Sequence, residues 1–139
     1  MKHALLFPLL FLSLNFIFAQ SNEGGVFKFK AFETSLWNPN SKSEIEWTKT
    51  DFLVVLNYDS RKLNTYGKEE KDINLIKDKN DYIDKDGSQW ISYIGIDESG
   101  KKCTVSIEIF KKSGEDYHIA TLFIDYPEFT LTFRLKKNT

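Results

Sequence analysis

The stretch of sequence that decides the fold is residues 89–136, which read QWISYIGIDESGKKCTVSIEIFKKSGEDYHIATLFIDYPEFTLTFRLK. Apolar and polar residues alternate along this stretch, as is typical of strands that bury one face. A shift of one residue in strand pairing would expose a whole apolar set, so the alternation also specifies the register. The pattern predicts four consecutive strands, namely Gln89–Asp97, Lys102–Lys111, Tyr117–Tyr126 and Glu128–Lys136.

Three short turns separate these strands. Gly100 and Gly114 stand where the first two turns need a residue that tolerates positive φ. Pro127 marks the third turn, because proline cannot donate a hydrogen bond to a strand ladder. Turns spaced roughly 14 residues apart indicate an antiparallel meander of long strands rather than units with crossover helices.

The half of the chain that precedes this stretch is less regular. Val26–Glu33 alternates as a strand, with a bulge or strand end near Phe32, where the parity breaks. Asp78–Gly87 is poor in apolar residues, and we expect a mobile loop around Tyr82 and Ile83. The remaining predictions are a loop at Leu36–Ser43, a short strand at Ile45 and Trp47, a strong strand at Phe52–Tyr58, a short strand at Leu63–Tyr66, and a strand or single helical turn at Ile73–Ile76.

These elements predict an all-β fold, an antiparallel up-and-down meander of about eight to nine strands. Sequential hairpins favour a barrel, and a two-sheet β-sandwich is the alternative. The chain resembles small secreted lipocalin-like (calycin-type) β-barrel proteins. The similarity lies in its predicted signal peptide, its strand rhythm and its tryptophans near the first strands. The Gly-x-Trp signature of lipocalins is absent, because Ser35 stands two positions before Trp37. The resemblance implies a barrel whose interior is either filled or able to hold one small apolar ligand.

The N-terminus has the three parts of a secretory signal. Lys2 supplies positive charge, residues 4–18 are apolar, and Ala19 ends a small-residue cleavage site. The apolar run is shorter than the ~20 residues that span a bilayer, so we expect cleavage after Ala19 rather than a membrane span. The sequence thus predicts a signal peptide over 1–19, a disordered leader over 20–25 and a single β-barrel domain over 26–139, in a secreted or periplasmic protein.

Charge and cysteine content argue against several classes of partner and site. Cleavage would remove one of the 19 basic side chains and leave 18 against 20 acidic ones, a balance unsuited to nucleic acid or an anionic membrane. Cys103 has no intramolecular disulfide partner and shares the parity of apolar neighbours, which indicates a buried thiol. His118 lacks the His and Cys neighbours of a zinc site.

The acidic loop before the meander is the strongest candidate for a metal site. Asp84, Asp86 and Gly87 suggest calcium, but aligning Gly87 with the glycine of an EF-hand puts Tyr82 and Tyr93 at positions that require acids. We expect no metal site, no cofactor and no catalytic set, and hence a non-enzymatic binding protein. A hydrolase would require two carboxylates that converge in a cleft.

Aromatic side chains line ligand sites and dominate protein contacts, so they are the binding residues we predict. The candidates are Trp37, Trp47, Trp90 and Tyr93, with either a small apolar ligand or another protein as the partner. A barrel interior filled by large side chains would exclude the ligand, and Phe52, Trp90, Phe129 and Phe133 are expected there. An exposed aromatic patch would instead favour a protein-interaction module such as an inhibitor, immunity or envelope protein. We expect binding specificity to lie in the irregular half, Leu36–Gly87.

Overall fold

The computed structural model describes residues 22–23, 25–40, 46–68, 70–111 and 118–138. The predicted signal peptide and residues 20, 21 and 24 of the predicted leader lie outside these residues, whereas Asn22 and Glu23 of that leader form a short strand. Every regular element in the described part is a strand, and that part contains no helix long and apolar enough to cross a bilayer. The ten strands are β1 (Asn22–Glu23), β2 (Val26–Trp37), β3 (Thr48–Asn57), β4 (Lys62–Tyr66), β5 (Lys71–Asp78), β6 (Tyr82–Ile83), β7 (Gln89–Ile96), β8 (Lys102–Ile109), β9 (Ala120–Asp125) and β10 (Thr130–Lys137).

Eight of the described strands close into one antiparallel barrel. Each pairs with its neighbour in the order β2, β3, β4, β5, β7, β8, β9 and β10, and β10 returns to β2. The short β1 and β6 attach to β2 and β7. The sequence prediction of an up-and-down barrel is therefore confirmed, and the two-sheet sandwich is excluded.

The predicted bulge and turns have clear structural counterparts. Phe32 is the extra residue of β2, since Ala31 and Glu33 pair with successive residues on β10. Gly100 has φ of 81° in the turn between β7 and β8, and its amide bonds to the carbonyl of Asp97. The amide of Tyr126 bonds to the carbonyl of Phe129 and closes the turn that contains Pro127. Gly114 lies outside the described residues.

Three predictions in the first half were wrong in detail. Leu36 and Trp37 extend β2 instead of opening a loop, because both pair with β10. Trp47 precedes one long strand, β3, rather than lying in a separate short strand, and Ile45 lies outside the described residues. Tyr82 and Ile83 form β6 where a mobile loop was expected, since they pair with Trp90 and Gln89. Ile73–Ile76 belongs to a strand and not to a helical turn.

The core occupies the inside of the barrel. The rings of Phe52 and Phe133 meet edge to face at 5.2 Å, on strands that flank β2. Ala31 of β2 lies in register with Phe52, and its small side chain leaves room for the two rings. At one end of the barrel Tyr58 and Tyr93 reach towards each other from β3 and β7, with ring centres 6.3 Å apart and a hydrogen bond between their hydroxyls. Aromatic side chains of the protein itself therefore occupy these parts of the barrel interior.

A polar network lies at the opposite end. Tyr126 donates its hydroxyl proton to Oδ2 of Asp97 over 2.7 Å, and the ammonium group of Lys71 lies 3.9 Å from the same oxygen. Asp97 is buried although it is an acid, and its other oxygen accepts bonds from the amides of Ser99 and Lys101. Because each carboxylate oxygen has partners, the charge is tolerated in this position.

Candidate binding surface

Three aromatic rings form a stacked column on the outside of the barrel. The rings of Tyr82 and Trp90 are 6.1 Å apart and inclined by only 7°, and those of Trp90 and Phe123 are 5.7 Å apart and inclined by 19°. Tyr82 is 51% exposed, whereas Trp90 and Phe123 are half-buried. We call Tyr82, Trp90 and Phe123 the aromatic column. It presents a preformed apolar contact surface to solvent at Tyr82.

Strand parity explains why the column faces outwards. Ile91 and Tyr93 point into the core, so Trp90, between Gln89 and Ile91, must point away from it. The interior position expected for Trp90 was wrong for this reason. On β9 the same alternation places Phe123 outside, between the buried Leu122 and Ile124.

The acidic loop before β7 holds the indole of Trp90 in place. Oδ1 of Asp84 accepts hydrogen bonds from the amides of Asp86 and Ser88, and Oδ2 accepts one from Nε1 of Trp90 at 3.0 Å. The bond from the Trp90 indole, with those amides, lowers the pKa of the Asp84 carboxyl. Gly87 supports the turn with φ of 85°. Both oxygens of Asp84, one of the acids that suggested calcium binding, are therefore committed to the turn and to Trp90.

Glu108 lies next to Trp90 on the outer face, paired with it across β7 and β8. Burial raises the pKa of its carboxyl, and the negative charges of Asp84 and Asp86 raise it further. None of the ion pairs among the described residues involves the carboxylate of Asp84, Asp86 or Glu108. This side of the aromatic column therefore carries negative charge that the described cations leave unpaired.

A second aromatic group on the outer face already contains its own cation. The guanidinium carbon of Arg134 lies 3.9 Å from the ring centre of Trp47, and its Nη1 donates to Oε1 of Glu33 at 3.0 Å. We call Glu33, Trp47 and Arg134 the arginine triad. Its aromatic face and its carboxylate are both occupied by the protein itself.

The arginine triad and the aromatic column are joined by one row of paired residues across the outer face. Proceeding from strand to strand, the row contains Glu33, Arg134, Thr121, Glu108, Trp90 and Tyr82. His118 covers the middle of the row, where its Nε2 lies 3.0 Å from the hydroxyl oxygen of Thr121. The imidazole ring also packs edge to face against Phe110. Through these contacts, His118 packs against the outer face of the barrel.

The predicted site residues do not converge on one pocket. Trp37 lies at the end of β2, 42% exposed, and Trp47 covers Arg134. Trp90 belongs to the aromatic column, and Tyr93 is buried inside the barrel. Sequence reasoning missed Tyr82, Phe123 and Glu108. An apolar residue on the polar face of β9 was the available signal for Phe123, whereas nothing local distinguished Tyr82.

Among the described residues, one buried side-chain nitrogen has no hydrogen-bond partner. Gln89 shares the inward parity of Ile91 and is only 7% exposed, and its Nε2 makes no hydrogen bond. Its cross-strand neighbour Ile109 is apolar and buried. An unsatisfied buried donor costs about 1–3 kcal/mol, so this atom stands out in an otherwise apolar surrounding.

Comparison with known proteins places no family name on this geometry: no family model, no curated protein and no solved structure matches the chain. The outer face and the interior must therefore be interpreted from their own chemistry.

Proposed function

We propose that this protein is a secreted or periplasmic, non-enzymatic binding protein on a lipocalin-like barrel, and that it recognises another protein through the aromatic column. The observation that carries the proposal is the stack of Tyr82, Trp90 and Phe123 on the outside of the barrel, with Tyr82 half exposed. Tyrosine and tryptophan dominate the energetics of protein contacts because they combine a large apolar area with few rotatable bonds.

Rigidity of the column supports this role. Asp84 holds the indole of Trp90 through a hydrogen bond, and the ring is stacked on both sides. A side chain that is already ordered loses little conformational entropy on binding, which leaves more of the contact energy as affinity. The charged side chains of the surrounding loop would orient a partner of complementary charge, which apolar contact alone would not do.

The aromatic contacts inside the barrel favour the outer face over an internal ligand site. The rings of Phe52 and Phe133 meet inside the barrel, and Tyr58 reaches Tyr93 at one end. Asp97 and Tyr126 join at the other end. A small apolar ligand would have to displace these contacts, whereas a partner on the outer face displaces only water.

The experiment that tests the proposal is affinity capture from the native source, followed by binding measurements with the purified, identified partner. Tyr82→Ala is compared with Tyr66→Ala, because these tyrosines are 51% and 50% exposed on different parts of the barrel. We expect Tyr82→Ala to weaken binding at least about tenfold, the scale of a contact hot spot, while Tyr66→Ala leaves it unchanged. Equal affinities for both variants would refute the role of the column.

A second candidate function is supported by Gln89. Its orphan Nε2 would be satisfied by a small molecule that brings a carbonyl or carboxylate oxygen to the apolar surrounding. Mass spectrometry of protein recovered without denaturation would detect such a molecule, and Gln89→Leu should then lose it. If the site holds no ligand, Gln89→Leu should instead be at least as stable as the wild type, since it removes an unsatisfied donor.

Export is tested separately from binding. The predicted cleavage after Ala19 makes Gln20 the first residue of the mature protein. Mass spectrometry of the protein recovered from periplasm and from medium would identify this N-terminus and the compartment. Recovery of the chain with residues 1–19 intact would contradict the proposed export.

A further inference from the structure

We infer that the aromatic column is an arginine-binding site, which takes the guanidinium group of a basic segment on the partner protein. The inference rests on the proposed function and names the chemistry that the partner must present at the column. Its basis is a comparison of the aromatic column with the arginine triad, which lie along the same row of residues on the outer face.

The arginine triad is the complete version of the arrangement. The guanidinium carbon of Arg134 lies 3.9 Å from the centre of the Trp47 ring, and Nη1 donates to the Glu33 carboxylate at 3.0 Å. A guanidinium group suits both partners, since it stacks on an aromatic face and donates in its plane to a carboxylate. The outer face thus already stabilises one cation between a ring and an acid.

The aromatic column also combines an exposed ring with nearby acids, but it contains no described cation, and Trp90 lies between Tyr82 and Glu108 in the row. Tyr82 presents a half-exposed ring at the end of the stack, and Glu108 is paired across the strands with Trp90, the ring beneath it. Glu108 and Asp86 are acids without an ion-pair partner among the described residues. The alkyl chain of Lys111 lies against Gly87, yet the described ion pairs do not connect it to either acid.

Charge complementarity therefore selects the occupant. A cation over Tyr82 would meet a ring face and would relieve the mutual repulsion of Asp84, Asp86 and Glu108. Arginine fits better than lysine, because its planar head can stack and donate to a carboxylate together. A neutral saccharide could stack on the ring but would gain nothing from the three acids.

The test uses the full mature chain and a defined probe, acetyl-Gly-Arg-Gly-amide. Binding is followed through the Trp90 indole N–H resonance in the NMR spectrum, which is assigned by its loss in Trp90→Phe. We expect a saturable shift below about 50 mM, with acetyl-Gly-citrulline-Gly-amide, a neutral isostere, giving none. The matching lysine peptide should bind more weakly.

Two variants separate local charge from net charge. Glu108→Gln should raise the dissociation constant about fivefold, whereas Glu128→Gln, in an exposed turn at the other end of the barrel, should leave it unchanged. Glu108→Gln should fold at least as well as the wild type, because the pKa of Glu108 is already raised and its charge is unfavourable. An absent or unsaturable shift, an equal response to citrulline, or equal effects of the two variants would overturn the inference.

The natural partner distinguishes this inference from the proposed function. If its binding depends on Tyr82 but not on Glu108, the column is a docking surface and the arginine assignment is wrong. If its binding depends on neither residue, the proposed function itself fails.

Discussion

Tyr126 donates its phenolic proton to Oδ2 of Asp97 over 2.7 Å, and both residues are buried. This bond connects the end of β9 to the end of β7 across β8, so it fixes one end of the barrel. Hydrogen bonds to a charged, buried acceptor are among the strongest in proteins, because a lost partner leaves the charge unsatisfied.

Removal of this hydroxyl group should destabilise the fold. We expect Tyr126→Phe to lower the free energy of unfolding by about 1.5–3 kcal/mol, as measured by urea denaturation. Tyr66→Phe is the matched control, since Tyr66 is half exposed and its replacement should change stability by less than about 0.5 kcal/mol. Equal effects of the two substitutions would mean that the Asp97 contact contributes nothing.

Asp97 should also make the fold sensitive to acid. Burial alone would raise the pKa of its carboxyl, but the bonds from Tyr126, Lys101 and Ser99 and the charge of Lys71 outweigh it and lower the pKa. A depressed pKa stabilises the folded state above the unfolded value of about 3.9, and that contribution is lost as pH falls through the folded value.

The corresponding measurement is the unfolding free energy as a function of pH. Between about pH 5 and pH 2 the wild type should lose stability more steeply than Asp97→Asn, which has no carboxyl to protonate. At pH 7 the variant should be less stable, because the amide accepts the surrounding hydrogen bonds less strongly. Parallel curves for the two proteins below pH 5 would show that Asp97 does not contribute to acid sensitivity.

Much of the fold could be predicted from the sequence because its determinants are local. The alternation in β8 and β10 and the turn residues Gly100 and Pro127 each act within a few residues. The two residues of β6 could not be predicted in this way. They become a strand only through pairing with Gln89 and Trp90 of β7, the strand with which β5 also pairs.

The candidate binding surface was less predictable for the same reason. The side chain of Trp90 was expected in the core because it is large and apolar, although its parity opposes that of Ile91 and Tyr93. Its stacking partners lie 8 residues before it and 33 residues after it in the numbering, on β6 and β9. Residue type alone therefore identified the tryptophan but not the direction in which it points.

Three tyrosines should ionise only at strongly alkaline pH. Burial raises the pKa of Tyr58 to about 12 and also raises the pKa of Tyr93 and Tyr126. Since the folded pKa exceeds the unfolded value, the stabilisation from these neutral hydroxyls is present below about pH 10 and is lost as pH rises. Absorbance at the phenolate band should therefore show Tyr58, Tyr93 and Tyr126 ionising at a higher pH than an unperturbed tyrosine.

The buried tyrosines should ionise only together with alkaline unfolding. Circular dichroism recorded on the same samples tests this, because the rise in phenolate absorbance from these three tyrosines should coincide with loss of the strand signal. Tyr58→Phe should remove part of that rise. Complete ionisation of all tyrosines near pH 10 in a folded barrel would contradict their burial.

Gly95 should tolerate no side chain, for steric reasons. A Cβ atom there would lie 2.6 Å from Cγ2 of Ile73 and 3.2 Å from the carbonyl oxygen of Asn74. Gly95→Ala should therefore destabilise the barrel by about 1–3 kcal/mol through overpacking. Gly100→Ala is an informative comparison, since its Cβ would meet nothing within 4 Å and only its φ of 81° opposes the change, at about 1 kcal/mol. If Gly95→Ala costs less in an Ile73→Ala background, where Cγ2 is absent, than in the wild type, the contact is the cause.

Cys103 should be unreactive in the folded protein. The side chain is buried on the inner face of β8, and burial raises the pKa of its thiol to about 11, with the charge of Asp97 acting in the same direction. The thiolate is the reactive species, so both access and ionisation oppose modification at pH 8.

A disulfide-exchange reagent such as DTNB should label the protein only as fast as the barrel opens. Addition of urea should accelerate labelling in proportion to the unfolded fraction, and Tyr126→Phe should accelerate it through its lower stability. Rapid labelling of the wild type without denaturant would contradict the position of Cys103 in the core.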